Sequence, residues 1–227
     1  MTLMTSFKIW LMWRGFHRRL GVAGVPVPPY RSFAGRARRY AEQAPMPGSG
    51  EGAKVSRAVA ALLHAAAEYA EEEGALSRMH AVAAVRPAFL DTGAWLVRAG
   101  FAAWLSTVKN PVANLSRRKL DREVQTLWGS GMETDVERHP DELVLSVKSC
   151  PFSEYFWNVA RPDLTPILCA WDAQWMAQVN TSRSPVQVLR PSTIASGGAS
   201  CDFRFRRTAM ASGQRRFCPP CCSSSRT

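Results

Sequence analysis

The residue types that could do chemistry gather in the second half of the chain. They are Cys150-Pro151-Phe152, then Cys169-x-x-Asp172, then Gly197-Gly198-x-x-Cys201-Asp202-Phe203-Arg204, with Arg190 between the last two groups. A cysteine thiolate attacks electron-poor carbon or binds a metal. A carboxylate shielded from water takes a proton near neutral pH. A guanidinium offers paired donors that match the two oxygens of a carboxylate. Nucleophile, base and anion clamp are therefore all represented.

Each residue also has a plainer explanation. Cys150 precedes a proline that suits the first turn of a helix, and the positive end of a helix dipole favours a thiolate. It is equally a buried thiol packed beside Val147 and Phe152. Cys169 and Asp172 stand three apart on an expected helix and share a face. Asp172, in a stretch bounded by Trp171 and Trp175, is a candidate base, or else pairs with an arginine at the solvent edge. Cys201 alternates with Phe203 and Phe205, which favours core packing, with Asp202 and Arg204 facing the other way as a sheet ion pair. Arg190 is a candidate carboxylate anchor or a solvated side chain. Gly197 and Gly198 permit positive φ and close approach of backbone N–H groups to a ligand, though a simple turn needs the same residues.

The elements that must position these residues follow from periodicity. Apolar residues at helical spacing predict helices over about 54–73, 88–109 and 116–128, the last capped by Ser116 and closed by Gly129. The period then shortens to two. Met132, Thr134 and Val136 alternate with charged neighbours, and Leu143, Leu145 and Val147 do the same after a His139-Pro140-Asp141 turn, which predicts a hairpin. Helices over about 152–160 and 163–179 carry Cys169 and Asp172, and strands over 186–190 and 200–206 complete the order. The expected fold class is α+β: N-terminal helices followed by a hairpin, cysteine-bearing helices and two further strands.

Three regions are expected. Residues 1–53 form a basic, Pro/Gly-rich, poorly ordered leader and linker, residues 54–206 the α+β domain, and residues 207–227 a disordered basic Ser/Cys tail. The net charge of +11 does not indicate nucleic-acid binding, because the excess lies at the two ends and the centre is balanced. No run approaches the about 18 apolar residues of a membrane-spanning helix, and the opening lacks the pattern of a secretory signal. A reducing cytoplasmic setting is expected, where cysteines are reactive, metal-bound or buried. The Cys218-Pro219-Pro220-Cys221 pair has no second pair to complete a zinc site. His17, His64, His80 and His139 show no ligand spacing, and no nucleophile elbow, phosphate loop or dinucleotide fingerprint is present.

Taken together, Val147-x-x-Cys150-Pro151-Phe152, Leu168-Cys169-x-x-Asp172 and Arg190-x-x-x-Ile194-x-x-Gly197-Gly198-x-x-Cys201-Asp202-Phe203-Arg204 resemble the L-2-amino-thiazoline-4-carboxylic acid hydrolase family of bacteria. The resemblance covers about residues 88–206 and is most specific over 147–206. It implies hydrolytic opening of a small cyclic amidine, at a C–N bond, to a carbamoyl-cysteine in sulfur amino-acid metabolism, with a small-molecule carboxylate as substrate. Asp172 would take the proton from water, or Cys150 would attack directly, with Arg190 on the carboxylate. A zinc ion on Cys150, Cys169, Asp172 and Cys201 is neither demanded nor excluded by the spacings, so the cofactor stays open, as does the oligomeric state. The same order of cysteines, glycines and strands also resembles vinyl-reductase-type ligand-binding modules, which would make the chain a non-catalytic binding domain.

Overall fold

A computed structural model describes residues 3–43 and 46–208. Helices α1 (Leu3–Val22), α2 (Tyr30–Gln43), α3 (Gly50–Glu72), α4 (Arg78–Asp91), α5 (Ala94–Thr107), α6 (Pro111–Ser116) and α7 (Leu120–Trp128) come first. Strands β1 (Thr134–Arg138) and β2 (Glu142–Val147) form the hairpin. Helices α8 (Pro151–Asn158) and α9 (Thr165–Asn180) precede strands β3 (Val186–Leu189) and β4 (Cys201–Arg207). The α+β class and the order of elements match the reading of the sequence.

Helix α3 is the centre of the helical layer. Its alanines at 58, 60, 61, 65, 66, 67 and 70 are buried together with Leu62 and Leu63. Small side chains let neighbours approach from several directions, so α1, α2, α4, α7 and α8 all pack on it. An apolar stripe on one face, which the periodicity suggested, understates this burial. Beyond α3 the sheet runs β1-β2-β4-β3, antiparallel throughout. Leu143 lies opposite Phe205, Leu145 opposite Phe203 and Val147 opposite Cys201. These residues share one face, as the alternation of β4 predicts, and that face meets α9.

Three boundaries differ from expectation. The expected helix over 88–109 is two helices, α4 and α5, because Gly93 adopts φ 72° and breaks the chain between them. Helix α4 starts earlier and runs through Pro87. The expected helix over 116–128 starts later, as α7 at Leu120, and Ser116, expected as its cap, is instead the last residue of α6, which the Asn110 side chain caps by accepting from the Ala113 N–H. Residues 1–53, expected as a poorly ordered leader and linker, contain α1 and α2. Phe16, Leu20 and Phe33 are fully buried there, with Phe16 edge-on to Phe89 of α4 at 5.7 Å between ring centres. Aromatic anchors outweighed the local Pro and Gly content. The Ser/Cys tail, with Cys218, Cys221 and Cys222, lies outside the described residues.

Candidate active site

Asp172 sits on α9 where that helix crosses the sheet. Trp175 Nε1, one turn on, donates to Asp172 Oδ1 at 3.3 Å, and Arg190 Nη1 donates to Oδ2 at 3.4 Å. Trp175 is itself fixed by stacking, with ring centres 5.1 Å from Phe101, 5.7 Å from Phe203 and 6.0 Å from Phe205. Helix α5 and strand β4 thus clamp the indole that orients the acid. Protein crowds the carboxylate on most sides, yet 34% of its side-chain surface still meets solvent. Burial raises its pKa from 3.8 to about 6, against the opposing pull of Arg190 and the Trp175 hydrogen bond. The group is ionised at neutral pH and takes a proton easily, which is what a general base requires.

Arg190 follows β3 and is 14% exposed. Besides Asp172 it donates through Nη2 to the Cys169 carbonyl at 2.9 Å, and its guanidinium lies 5.6 Å from the centre of the Phe203 ring. Its first role is to hold and partly neutralise Asp172. Donors not used in those bonds remain for an incoming anion.

The three thiols lie near one another on separate elements. Cys150 and Cys169 each sense Cys201 electrostatically, and Cys169 and Cys201 both sense Asp172 and Arg190. All three are free thiols. Cys150 stands at the N-cap of α8, with Pro151 behind it in the first turn, and its side chain makes no capping hydrogen bond. That is the expected place, and of the two readings of Cys150, reactive thiolate or buried thiol, burial favours the second. Burial outweighs the helix terminus and pushes the thiol up to about 12. Cys169 is pushed up to about 11, again by burial first. Desolvation penalises the charged form in a site too apolar to solvate it.

Cys201 is 9% exposed and accepts the Ile194 backbone N–H at 3.2 Å, so its thiol ties the 194–198 turn to β4. Within that turn Gly197 has φ 87°, a conformation that disfavours any side chain. The Gly197 N–H donates to Ile194 O at 3.0 Å and the Gly198 N–H to Thr193 O at 2.9 Å. Both amides are therefore committed inside the turn, which corrects their expected role as donors to a ligand. Asp202 takes Ser200 Oγ at 2.7 Å in place of the expected pairing with Arg204. Among the described residues, no three His, Cys, Asp or Glu side chains are grouped so as to hold a metal ion.

Two features escaped the sequence. Trp175 acts as the hydrogen-bonded prop of Asp172, and only its i, i+3 spacing from Asp172 hinted at this. A polar chain also crosses the helical layer. His64 Nε2 lies 3.2 Å from Glu68 Oε1 and Nδ1 lies 3.2 Å from the Tyr155 hydroxyl, while Tyr40 donates to the other oxygen of Glu68. This chain joins α2, α3 and α8 and stands apart from Asp172. A cavity of about 620 Å3 also lies elsewhere, among the first three helices.

The fold is α+β, and sequence comparison supplies the rest. The chain belongs to the L-2-amino-thiazoline-4-carboxylic acid hydrolase family, whose model matches residues 55–205. The match spans every site residue considered above. Comparison with curated proteins finds no match. Among solved structures, the chain is similar to the Fe(II) unliganded H-NOX protein from K. algicida, with 11% identity, a TM-score of 0.32, and coverage of 89% of this chain and 99% of that one. An alanine-to-glycine mutant of that protein gives 11% identity, a TM-score of 0.32, and coverage of 88% and 96%. A likeness that loose transfers neither ligand nor function, and the binding-module reading gains nothing from it. Among the described residues no helix is long and apolar enough to cross a membrane.

Proposed function

We propose that the protein hydrolyses a small cyclic amidine bearing a carboxylate, of the 2-amino-thiazoline-4-carboxylate type, in sulfur amino-acid metabolism. The observation that carries this reading is the recessed, solvent-reachable Asp172, its pKa raised to about 6 and its two oxygens held by Trp175 and Arg190. Family membership supports the hydrolytic class.

In the proposed step, Asp172 accepts a proton from water as the water oxygen bonds to the amidine carbon. The tetrahedral adduct then collapses with cleavage of the ring C–N bond. Asp172 hands its first proton to the amidine nitrogen as the adduct forms and then relays the adduct's hydroxyl proton to the departing nitrogen as C–OH becomes C=O, so substrate plus one water gives the open carbamoyl product with a free amine and the carboxylate is regenerated. Arg190 faces the substrate carboxylate with its remaining donors and keeps two negative charges from meeting unscreened. Cys150 and Cys169, neutral at physiological pH, line the recess as weak S–H donors and do not attack. At a pKa of about 12 only about one thiol in 10⁵ is ionised at pH 7.

The test is incubation of purified protein with 2-amino-thiazoline-4-carboxylate, read by mass spectrometry for the gain of one water. Turnover by wild type and its loss in folded Asp172→Asn is the expected result. A folded wild type that opens neither this ring nor related cyclic amidines overturns the proposal.

A further inference from the structure

The cavity among the first three helices lies almost wholly outside the matched family segment and away from Asp172. Its volume, about 620 Å3, falls in the range of about 300–1,000 Å3 usual for small-molecule sites. Trp10 and Trp13 of α1 and Tyr30 of α2 supply aromatic walls. Arg31, Arg38, Lys54 and Arg57 set four cations around it against one lining carboxylate, Glu42. Lys54 is bonded to Glu51 at 2.9 Å, and Arg57 Nη2 donates to Gly48 O at 3.0 Å. Two donors in the walls are buried with no acceptor: Trp13 Nε1, in a residue only 6% exposed, and Arg57 Nε. Native structures seldom leave buried donors unmatched, because each costs about 1–3 kcal/mol.

Flat aromatic walls and a surplus of positive charge together define the occupant. We infer that this cavity binds an aromatic carboxylate, its ring against Trp10, Trp13 and Tyr30 and its carboxylate toward Arg57 and Arg38. A free inorganic anion would satisfy the cations and make no use of the aromatic rings. An uncharged aromatic would do the reverse. The site is separate from the proposed hydrolytic recess and does not depend on it.

The probe is 2-naphthoate, titrated calorimetrically into the full-length protein, with 2-naphthalenemethanol and inorganic phosphate as controls. Saturable binding of one naphthoate per chain is expected, with the alcohol and phosphate each at least about tenfold weaker, as loss of a charged hydrogen bond or of the stacked ring dictates. Arg57→Gln weakens naphthoate at least about tenfold and Ala34→Trp, which fills the cavity from α2, abolishes it. Circular dichroism checks the fold of both variants, and Arg57→Gln carries the test if Ala34→Trp does not fold. Turnover of the thiazoline substrate in Arg57→Gln stays at the wild-type level. No binding by wild type, equal binding of acid and alcohol, or undiminished binding in folded Arg57→Gln overturns the inference.

Discussion

Replacing Asp172 with asparagine should stabilise the protein at neutral pH while removing its activity. The carboxyl pKa lies at about 6 in the fold against 3.8 for an unperturbed group. That difference corresponds to about 3 kcal/mol in favour of the protonated form. A third of the side chain is exposed, so solvent screening reduces the effect to about 1–2 kcal/mol. The folded-state pKa is the higher one. The protonated carboxyl therefore contributes stability that is complete below about pH 4 and is lost as the pH rises through about 6. Asparagine is isosteric, keeps one acceptor oxygen, and carries no charge to desolvate. Urea unfolding of wild type and Asp172→Asn across pH 4–8 isolates this group, because the other carboxylates titrate alike in both proteins. The difference should be near zero at pH 4 and reach about 1–2 kcal/mol in favour of the variant by pH 7.5, a shift of about 3–6 °C in Tm. A variant less stable than wild type at pH 7.5, or a difference that ignores pH, would show that Arg190 solvates the carboxylate fully and that no strained base exists.

The remaining predictions concern its surroundings. The rate of turnover should fall on the acid side with an apparent pKa near 6 and vanish in Asp172→Asn, as pH–rate profiles will show. Arg190→Gln removes the cation that, among the described residues, is bonded to Asp172, so that acid limb should move to higher pH and KM should rise. Cys150→Ala should keep turnover within about tenfold of wild type, and alkylation of Cys150 by iodoacetamide should stay slow until well above pH 9. A loss beyond 10³-fold would restore it as nucleophile. Arg161, 8% exposed and bonded to Glu71 at 2.8 Å and Asp163 at 3.2 Å, joins α3 to the turn before α9. Arg161→Ala should cost about 1–3 kcal/mol in urea unfolding, because Glu71 loses its cation while Asp163 keeps Arg78.

Residues that act through short-range pattern were legible. The alternation Cys201, Phe203, Phe205 defined β4 and its inner face, and the alternations on either side of Pro140 defined the hairpin. Both follow from the two-residue period of a strand, which any local window contains. Proline after Cys150 placed that thiol at a helix start for the same local reason. Helix ends were less legible. Gly93 takes a left-handed conformation that separates α4 from α5, and a glycine inside an apolar helical run gives no sign by itself of whether it will. The first 53 residues misled because proline and glycine counts report local stiffness, whereas Phe16 and Phe33 are held by residues far along the chain.

The sequence by itself determined which groups could react, the class of fold and the family. The protonation states of those groups were decided by tertiary structure alone. Cys150, which the sequence offered as a nucleophile, and Cys169 beside Asp172 on α9 have their thiol pKa values raised, since the apolar surroundings that α8, α9 and β4 build together desolvate them. The same surroundings lift Asp172, and Arg190 and Trp175, 18 and 3 residues away along the chain, set how far. Desolvation depends on the whole packed neighbourhood of an atom and falls off within a few ångströms, so it is written in contacts between distant segments and not in the order of residues within any one of them.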